Sequence, residues 1–318
     1  MSSQADTILL SLTNWDPKAW LDQFQVHAPE RKIVLEPDGA NDPSIRYAIV
    51  WKQRSGLLAK LPNLEVILSL GAGVDHIFHD TQVPDLPIVR VVAPDLTMRM
   101  SEYVIWQVLD HFRFGRLYRE QQAKGIWSEP PQPAAGEVSV GIMGLGVLGQ
   151  DAAAKLGQIG FQMHGWSRNA KQVPGVKCHH GQDGLGAFLA ASDIVVVLLP
   201  LTDDTRGIVN ADLLSRMKPK TPLGGPVLIN AGRGKLQVER DILSALDSGR
   251  LMAASLDVFE QEPLPTDSAL WKHPRVFITP HAAANSDPKH LVPLMLRQME
   301  RHEQGLGLEH LVDRTAGY

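Results

Sequence analysis

Three polar residues in the later part of the chain could together move a proton and hold a negative charge. Arg233 stands in "NAGRG", Glu262 in "LDVFEQEP" and His281 at the close of "VFITPH". An imidazole titrates near neutral pH, from an ordinary pKa of ~6.5, and so suits general acid work. A carboxylate beside it favours the imidazolium form. A guanidinium can clamp a carboxylate or polarise a carbonyl. Each residue alone has an ordinary explanation. The chain has twelve histidines, a histidine after a strand is commonly a structural hydrogen-bonder, and an arginine between glycines can cap a turn. All three follow apolar runs that read as strands, and ligands of open α/β sheets bind at strand ends. Taken together they point to one site for chemistry at a carbonyl.

The reducing power for such chemistry is indicated by "GLGVLG", which sets Gly144, Gly146 and Gly149 in G-x-G-x-x-G spacing. The stretch comes directly after the apolar run "VSVGIMG" and opens the helical pattern "LGQDAAAKL". In that context the first glycine permits a tight turn and the second lets backbone approach a pyrophosphate at a helix N-terminus. The third lets the helix pack on the strand. A tight turn without a ligand is the alternative. Beside a nicotinamide, the polar trio describes reduction of a 2-keto acid, with hydride going to the carbonyl carbon, His281 protonating the oxygen and Arg233 holding the acid. Asp257 in "SLDVF" is a fourth candidate, able to accept a hydrogen bond from the nicotinamide carboxamide or simply to cap a turn.

The form of the dinucleotide follows from "HGWSRNAK". An NAD site expects Asp or Glu about 20 residues beyond the first glycine, on the ribose hydroxyls. From Gly144 to Ser167 is 167 − 144 = 23 positions, and there the sequence offers Trp166, Ser167 and Arg168, then Lys171, with no carboxylate. Arg168 and Lys171 attract a 2′-phosphate and Ser167 can donate to it, whereas an acid would repel it. Solvated loop cations are the plain alternative. The reading is NADP(H) as the preferred cofactor, with NAD(H) as the second.

The elements that must position these residues are short apolar runs alternating with helical patterns. Runs at 7–12, 45–51, 64–70 and 87–92 read as strands of one unit. After the Pro-rich stretch 128–137, runs at 138–144, 161–166, 193–200, 225–231, 253–259 and 275–281 read as six strands of a second, complete doubly wound sheet. Between the sets, residues 101–125 read as one long helix. The first unit is short of a helix, which the C-terminal helix from about Asp287 supplies by crossing back. The chain therefore reads as two α/β units, with the cleft between them as the expected ligand site. In the first unit "SLGAGVDHI" leaves backbone N–H groups at Gly71 and Gly73 for an anion nest, which could hold a substrate carboxylate; a plain glycine turn is the alternative. Trp51 could wall a small pocket, and Trp271 in "LWKHP" carries the same choice between pocket wall and core. The triplet Cys178, His179 and His180 in "CHHGQD" reads as solvated loop and not as a metal site, because adjacent residues seldom ligate one ion.

Composition excludes other classes. In 318 residues, 44% are hydrophobic and 21% charged, the balance of a globular protein. The formal charge of -4 offers nothing general to nucleic acid. The only cysteine, Cys178, suits a reducing compartment. The start "MSSQADTILLSLTNWD" lacks the features of a secretory leader, and "DIVVVLLPL" is too short for a bilayer, which needs ~20 residues. The expectation is a cytoplasmic enzyme that binds neither nucleic acid nor membrane.

"GLGVLG", "NAGRG", "LDVFEQEPLP" and "HPRVFITPHAA", in that order, closely resemble the D-isomer-specific 2-hydroxyacid dehydrogenases. Within that family, "VWKQ", "LSLGAGVDHI", "LWKHPRVFITPH" and the terminal "VDRTAGY" look most like the bacterial glyoxylate/hydroxypyruvate reductase subgroup. The resemblance implies a Rossmann cofactor domain of residues 102–284 inserted in a flavodoxin-like substrate domain of residues 1–101 with 285–318, and catalytic Arg233, Glu262 and His281. It implies cofactor contacts at Met100, Gly144, Gly146, Val147, Leu148, Gly149, Trp166, Ser167, Arg168 and Lys171. Others fall at Leu199, Pro200, Thr205, Ala231, Gly232 and Asp257. Substrate contacts fall at Trp51, Gly71, Ala72, Gly73, Arg233, Trp271 and His281, with no metal. It further implies a preference for NADPH, reduction of glyoxylate and hydroxypyruvate, and a homodimer through the cofactor domains that uses the helix after Ser101. Two departures stand out. "MKPKTPLGGP" is longer than the family's usual turn, and Met100-Ser101-Glu102 replaces Val-Ala-Glu.

Two other functions compete. A non-catalytic dinucleotide-sensing regulator of other proteins would show exposed peptide grooves or long disordered tails, and the sequence has neither. A dehydrogenase of another D-2-hydroxyacid specificity is the nearer alternative, and a substrate panel separates it.

Overall fold

The structure is a computed structural model, and it describes residues 7–36 and 41–318. The first six residues of the N-terminal stretch read as leaderless lie outside the described residues. The chain divides into two compact units, Met1–Leu96 with Ser286–Tyr318 and Thr97–Asn285.

In the first unit five parallel strands form one sheet in the order β2-β1-β3-β4-β5. These are β1 (Thr7–Leu12), β2 (Ile33–Leu35), β3 (Ile45–Trp51), β4 (Val66–Ser69) and β5 (Ile88–Val89). β1 and β3 are apolar almost throughout and buried along nearly their whole length, as strands covered on both faces must be. The order is the flavodoxin-like one. β2 is a strand the sequence reading missed, because three residues carry no measurable period. Helix α1 (Lys18–His27) packs against the C-terminal α9 (Pro288–Glu303), and Arg31 holds Glu303 through its two terminal guanidinium nitrogens at 2.8 and 2.9 Å. Leu311 bridges to Val89, so the chain's end belongs to this sheet.

The second unit holds seven parallel strands in the order β12-β11-β10-β9-β6-β7-β8. They are β6 (Ser139–Met143), β7 (Gln162–Ser167), β8 (Val176–His180), β9 (Ile194–Val197), β10 (Val227–Asn230), β11 (Ala253–Leu256) and β12 (Val276–Ile278). From β8 to β11 this is the Rossmann order, and β12 adds one strand at the far edge. Two apolar clusters cover its faces, one around Phe188, Leu214 and Leu246 and the other around Val104, Leu156 and Ile142.

Two expectations are corrected here. The Cys178–His180 triplet is not loop but most of β8, an edge strand. Its residues alternate polar side chains, so no apolar run marks it. His179 stacks on His164 at 5.5 Å and meets Phe188 edge-on at 6.0 Å, which pins the strand. The single helix expected over 101–125 is two. α3 (Pro94–Phe112) starts a turn or more earlier, and α4 (Gly115–Lys124) follows a break where Phe114 takes φ 54°. Arg119 reaches back to Asp110 at 2.8 Å across that break, and a Cβ at Gly115 would lie 2.3 Å from the Asp110 carboxylate. Among the described residues no helix is long and apolar enough to cross a membrane.

Candidate active site

β10, β11 and β12 are neighbours and parallel, so the residues that follow them emerge along one edge of the sheet. Arg233 follows β10, Asp257 and Glu262 follow β11, and His281 follows β12. His281 Nδ1 lies 2.8 Å from a Glu262 carboxylate oxygen, with both side chains partly exposed. The other Glu262 oxygen accepts from the Phe259 N–H at 3.3 Å, so the carboxylate is aimed as well as placed. A carboxylate on Nδ1 fixes the ring's orientation and leaves Nε2 as the outward nitrogen. The His281 backbone sits in the left-handed region at φ 54°, and its N–H donates to the Asp257 carbonyl at 2.7 Å.

Arg233 is held by a buried amide network. Asn230 donates to the Arg233 carbonyl at 3.2 Å and to the Gln237 side chain at 2.8 Å, and accepts from the Gly232 N–H at 3.0 Å. Gln237 donates on to the Val258 carbonyl at 2.9 Å, tying the loop after β10 to the loop after β11. The next residue, Gly234, lies so close to Phe259 that a Cβ would fall 1.8 Å from its carbonyl oxygen. The Arg233 guanidinium folds back on the Gly232 carbonyl at 2.9 Å.

At the β6 end of the same sheet the glycine turn leads into α5 (Val147–Ile159). Gly144 has φ 109°, and a Cβ there would lie 2.6 Å from the Leu198 carbonyl oxygen. A Cβ at Gly149 would fall 1.9 Å from the Gly144 oxygen. A Cβ at Gly146 would meet nothing within 4 Å. Gly146 caps α5 without a side-chain hydrogen bond, so no capping side chain takes up the N–H groups of the first turn. Val147 is exposed there, and Leu148 is partly buried.

The loop after β7 divides into parts. The Trp166 indole is buried in the core and donates to the Gly181 carbonyl at 2.9 Å, so only its backbone stands at the strand end. The Ser167 hydroxyl donates to the Asn169 carbonyl at 2.8 Å. Arg168 extends toward solvent, 3.8 Å from Asp204. Lys171 donates to the Leu145 carbonyl at 2.7 Å and so lies over the glycine turn. After β9, Leu199 is buried, and the Thr205 hydroxyl donates to the Pro200 carbonyl at 2.7 Å, closing that turn. Ala231 and Met100 are both buried in the core.

In the first unit the Trp51 ring stacks on Trp15 at 5.1 Å and meets His76 at 4.8 Å. It also packs on Gly71, where a Cβ would lie 2.6 Å from the ring. The Gly71 N–H donates to the Ser69 hydroxyl at 3.1 Å, whereas those of Ala72 and Gly73 make no hydrogen bond among the described residues. In the second unit Trp271 is half-exposed, and its N–H donates to the Pro265 carbonyl at 2.9 Å. The longer segment before β10 is folded by Thr221, whose hydroxyl accepts from the Leu223 and Gly225 N–H groups and donates to the Gly225 carbonyl. Among the described residues no group of three His, Cys, Asp or Glu could hold a metal ion.

Residues 105–283 match the D-isomer specific 2-hydroxyacid dehydrogenase, NAD binding domain. Glyoxylate/hydroxypyruvate reductase A of Escherichia fergusonii is 38% identical over 98% of this chain and 99% of its own. The chain belongs to the D-isomer specific 2-hydroxyacid dehydrogenases. The crystal structure of the NADPH-dependent glyoxylate/hydroxypyruvate reductase of Sinorhizobium meliloti, in complex with NADP and sulfate, is similar at TM-score 0.93. It shares 46% identity, over 98% of this chain and 100% of that one. A probable 2-hydroxyacid dehydrogenase of Rhizobium etli, in complex with NADP, HEPES and L(+)-tartaric acid, superposes at TM-score 0.93 with 43% identity, over 99% and 100%.

Membership makes this dehydrogenase an NAD(P)-dependent oxidoreductase with two parallel-sheet α/β domains. Its residues fit a dinucleotide, because the space over Gly146 and the uncapped start of α5 admit a pyrophosphate, and Arg168 and Lys171 stand beyond β7. Four participants were missed in the sequence. Asn230 and Gln237 give no signal except to a reader who knows which loops meet. Tyr103 and Thr279, which bear on Asp257, come from segments 176 residues apart.

Proposed function

We propose that this dehydrogenase reduces small 2-keto acids, glyoxylate and hydroxypyruvate, to glycolate and D-glycerate with NADPH. The observation that carries the reading is the His281–Glu262 pair at 2.8 Å, standing at the same sheet edge as Arg233. The bound nicotinamide supplies the hydride. Arg233 pairs with the substrate carboxylate and orients the acid. His281 in its imidazolium form releases the Nε2 proton to the carbonyl oxygen while Nδ1–H stays on Glu262. Glu262 holds the ring in place by accepting from Nδ1–H. The N–H groups of Ala72 and Gly73 in the first unit are suited to a carboxylate. Asp257 would serve the nicotinamide chiefly through its loop, since its carboxylate oxygens already take three donors.

NADPH over NADH is supported by Arg168 and Lys171 and by the absence of a carboxylate from Ser167 to Lys171. It is supported also by the NADP complexes of the S. meliloti and R. etli proteins. Oxidation of NADPH and NADH, followed at 340 nm with a panel of glyoxylate, hydroxypyruvate, pyruvate and longer 2-keto acids, tests the reading. Turnover is expected with the two smallest polar acids and NADPH; no loss of absorbance with any of them contradicts it. Exposed Trp106 on α3, Leu117 and Tyr118 on α4, and Ile126 and Trp127 beyond it form the surface we assign to a homodimer of cytoplasmic enzyme. Light scattering at the mass of one chain contradicts that assignment.

A further inference from the structure

His281 is held in a backbone conformation that a β-carbon resists. Non-glycine residues in the left-handed region are strained and persist where the surroundings over-determine them. The surroundings here converge on Asp257, which is 1% exposed and forms no ion pair among the described residues. One of its carboxylate oxygens accepts from the Thr279 hydroxyl at 2.7 Å and the Ala282 N–H at 2.8 Å. The other accepts from the Ala283 N–H at 3.0 Å. The donors flank His281 on both sides, and the His281 N–H itself takes the Asp257 carbonyl. A buried carboxylate without a cation depends on such donors, and losing one leaves charge unsolvated.

The chain of hydrogen bonds has a direction. The Asp257 carboxylate can only accept, so the Thr279 hydroxyl must donate to it. The Thr279 oxygen then presents only lone pairs to Tyr103, whose hydroxyl lies 2.8 Å away and therefore donates. Tyr103 sits on α3, buried, with its ring edge against Trp106 at 5.8 Å. Burial pushes its phenol well above the ordinary range, which keeps the proton on the oxygen and the direction fixed.

We propose that Tyr103 and Thr279 are positioning residues for the proton-donating imidazole, setting the His281 loop through Asp257 and anchoring it to α3. The inference rests on the role assigned to His281 above. A merely structural pair would change stability or all kinetic constants together. A positioning pair changes the imidazole's placement and hence kcat, where a displacement near 1 Å can cost on the order of 100-fold.

The test uses Thr279→Val, Thr279→Ser and Tyr103→Phe in the full chain. Thr279→Val is expected to lower kcat roughly 10- to 100-fold with the NADPH dissociation constant changed less than about threefold. Thr279→Ser restores most of the loss, because it keeps the hydroxyl. Tyr103→Phe, which removes one hydroxyl and leaves the ring in place, lowers kcat less, by roughly three- to tenfold, and serves if Thr279→Val does not fold. The His281 Hε1 resonance, assigned from the His281→Gln spectrum, is expected to move in Thr279→Val and return in Thr279→Ser. An unmoved resonance with kcat within twofold of the parent overturns the proposal, as does equal loss in the Val and Ser variants. If the parent reduces no 2-keto acid, the proposed function fails, and the resonance alone still decides the positioning.

Discussion

The two halves of the seven-stranded sheet's ligand edge are built on opposite plans. At the β6–β7 end the chain offers backbone: an open Gly146, an uncapped helix start and two cations beyond β7. At the β10–β12 end it offers side chains, Arg233, Glu262 and His281, each aimed by a neighbour. The first half is defined by what is missing, a Cβ or an acid, so that a large anion can come close. The second is defined by what is paired, because a proton donor works only from a fixed position. On the proposed reading one sheet edge separates binding from chemistry, and substitutions in the two halves should fail in different ways.

The largest effect is expected in the side-chain half. Arg233→Met should lower kcat/KM for the keto acid roughly a thousandfold while NADPH still binds, read by steady-state kinetics and by quenching of protein fluorescence. Equal loss of cofactor binding would erase the division. In the backbone half, two alanine substitutions sharpen it. Gly149→Ala drives a Cβ to 1.9 Å of the Gly144 oxygen and should destabilise the unit, by about 3 kcal/mol or more in a denaturant titration. Gly146→Ala meets no atom within 4 Å, so its stability should stay within about 1 kcal/mol while NADPH affinity falls roughly tenfold. If Gly146→Ala binds NADPH as the parent does, no pyrophosphate approaches there. The smallest effect is one of selectivity. Arg168→Ala should raise the KM for NADPH by roughly tenfold and leave that for NADH within about twofold, because the exposed cation acts on the 2′-phosphate alone. Equal changes for both cofactors would remove the phosphate role.

The same contrast explains what could be read in the sequence. The glycine turn was legible because its requirement is local: strand, three glycines and helix follow one another within a dozen residues. Arg233, Glu262 and His281 were legible by place, since each follows an apolar run and open sheets use that edge. Their supports were not. Asn230, Gln237, Thr279 and Tyr103 act across loops brought together only by sheet order, and an amide or hydroxyl at such a position looks like any other. Trp166 misled in a different way. It belongs to the expected loop by position, but β7 alternation turns its indole into the core. β8 escaped because an edge strand can be polar, and the α3–α4 break escaped because Phe114 does not announce a left-handed residue as glycine does.

The most direct test of the account is His281→Ala, measured in one preparation for NADPH affinity and for single-turnover reduction of glyoxylate. The account predicts affinity within about twofold of the parent and a rate lower by roughly 100- to 10,000-fold. A rate within tenfold of the parent, with the cofactor bound, would mean that the proton comes from elsewhere.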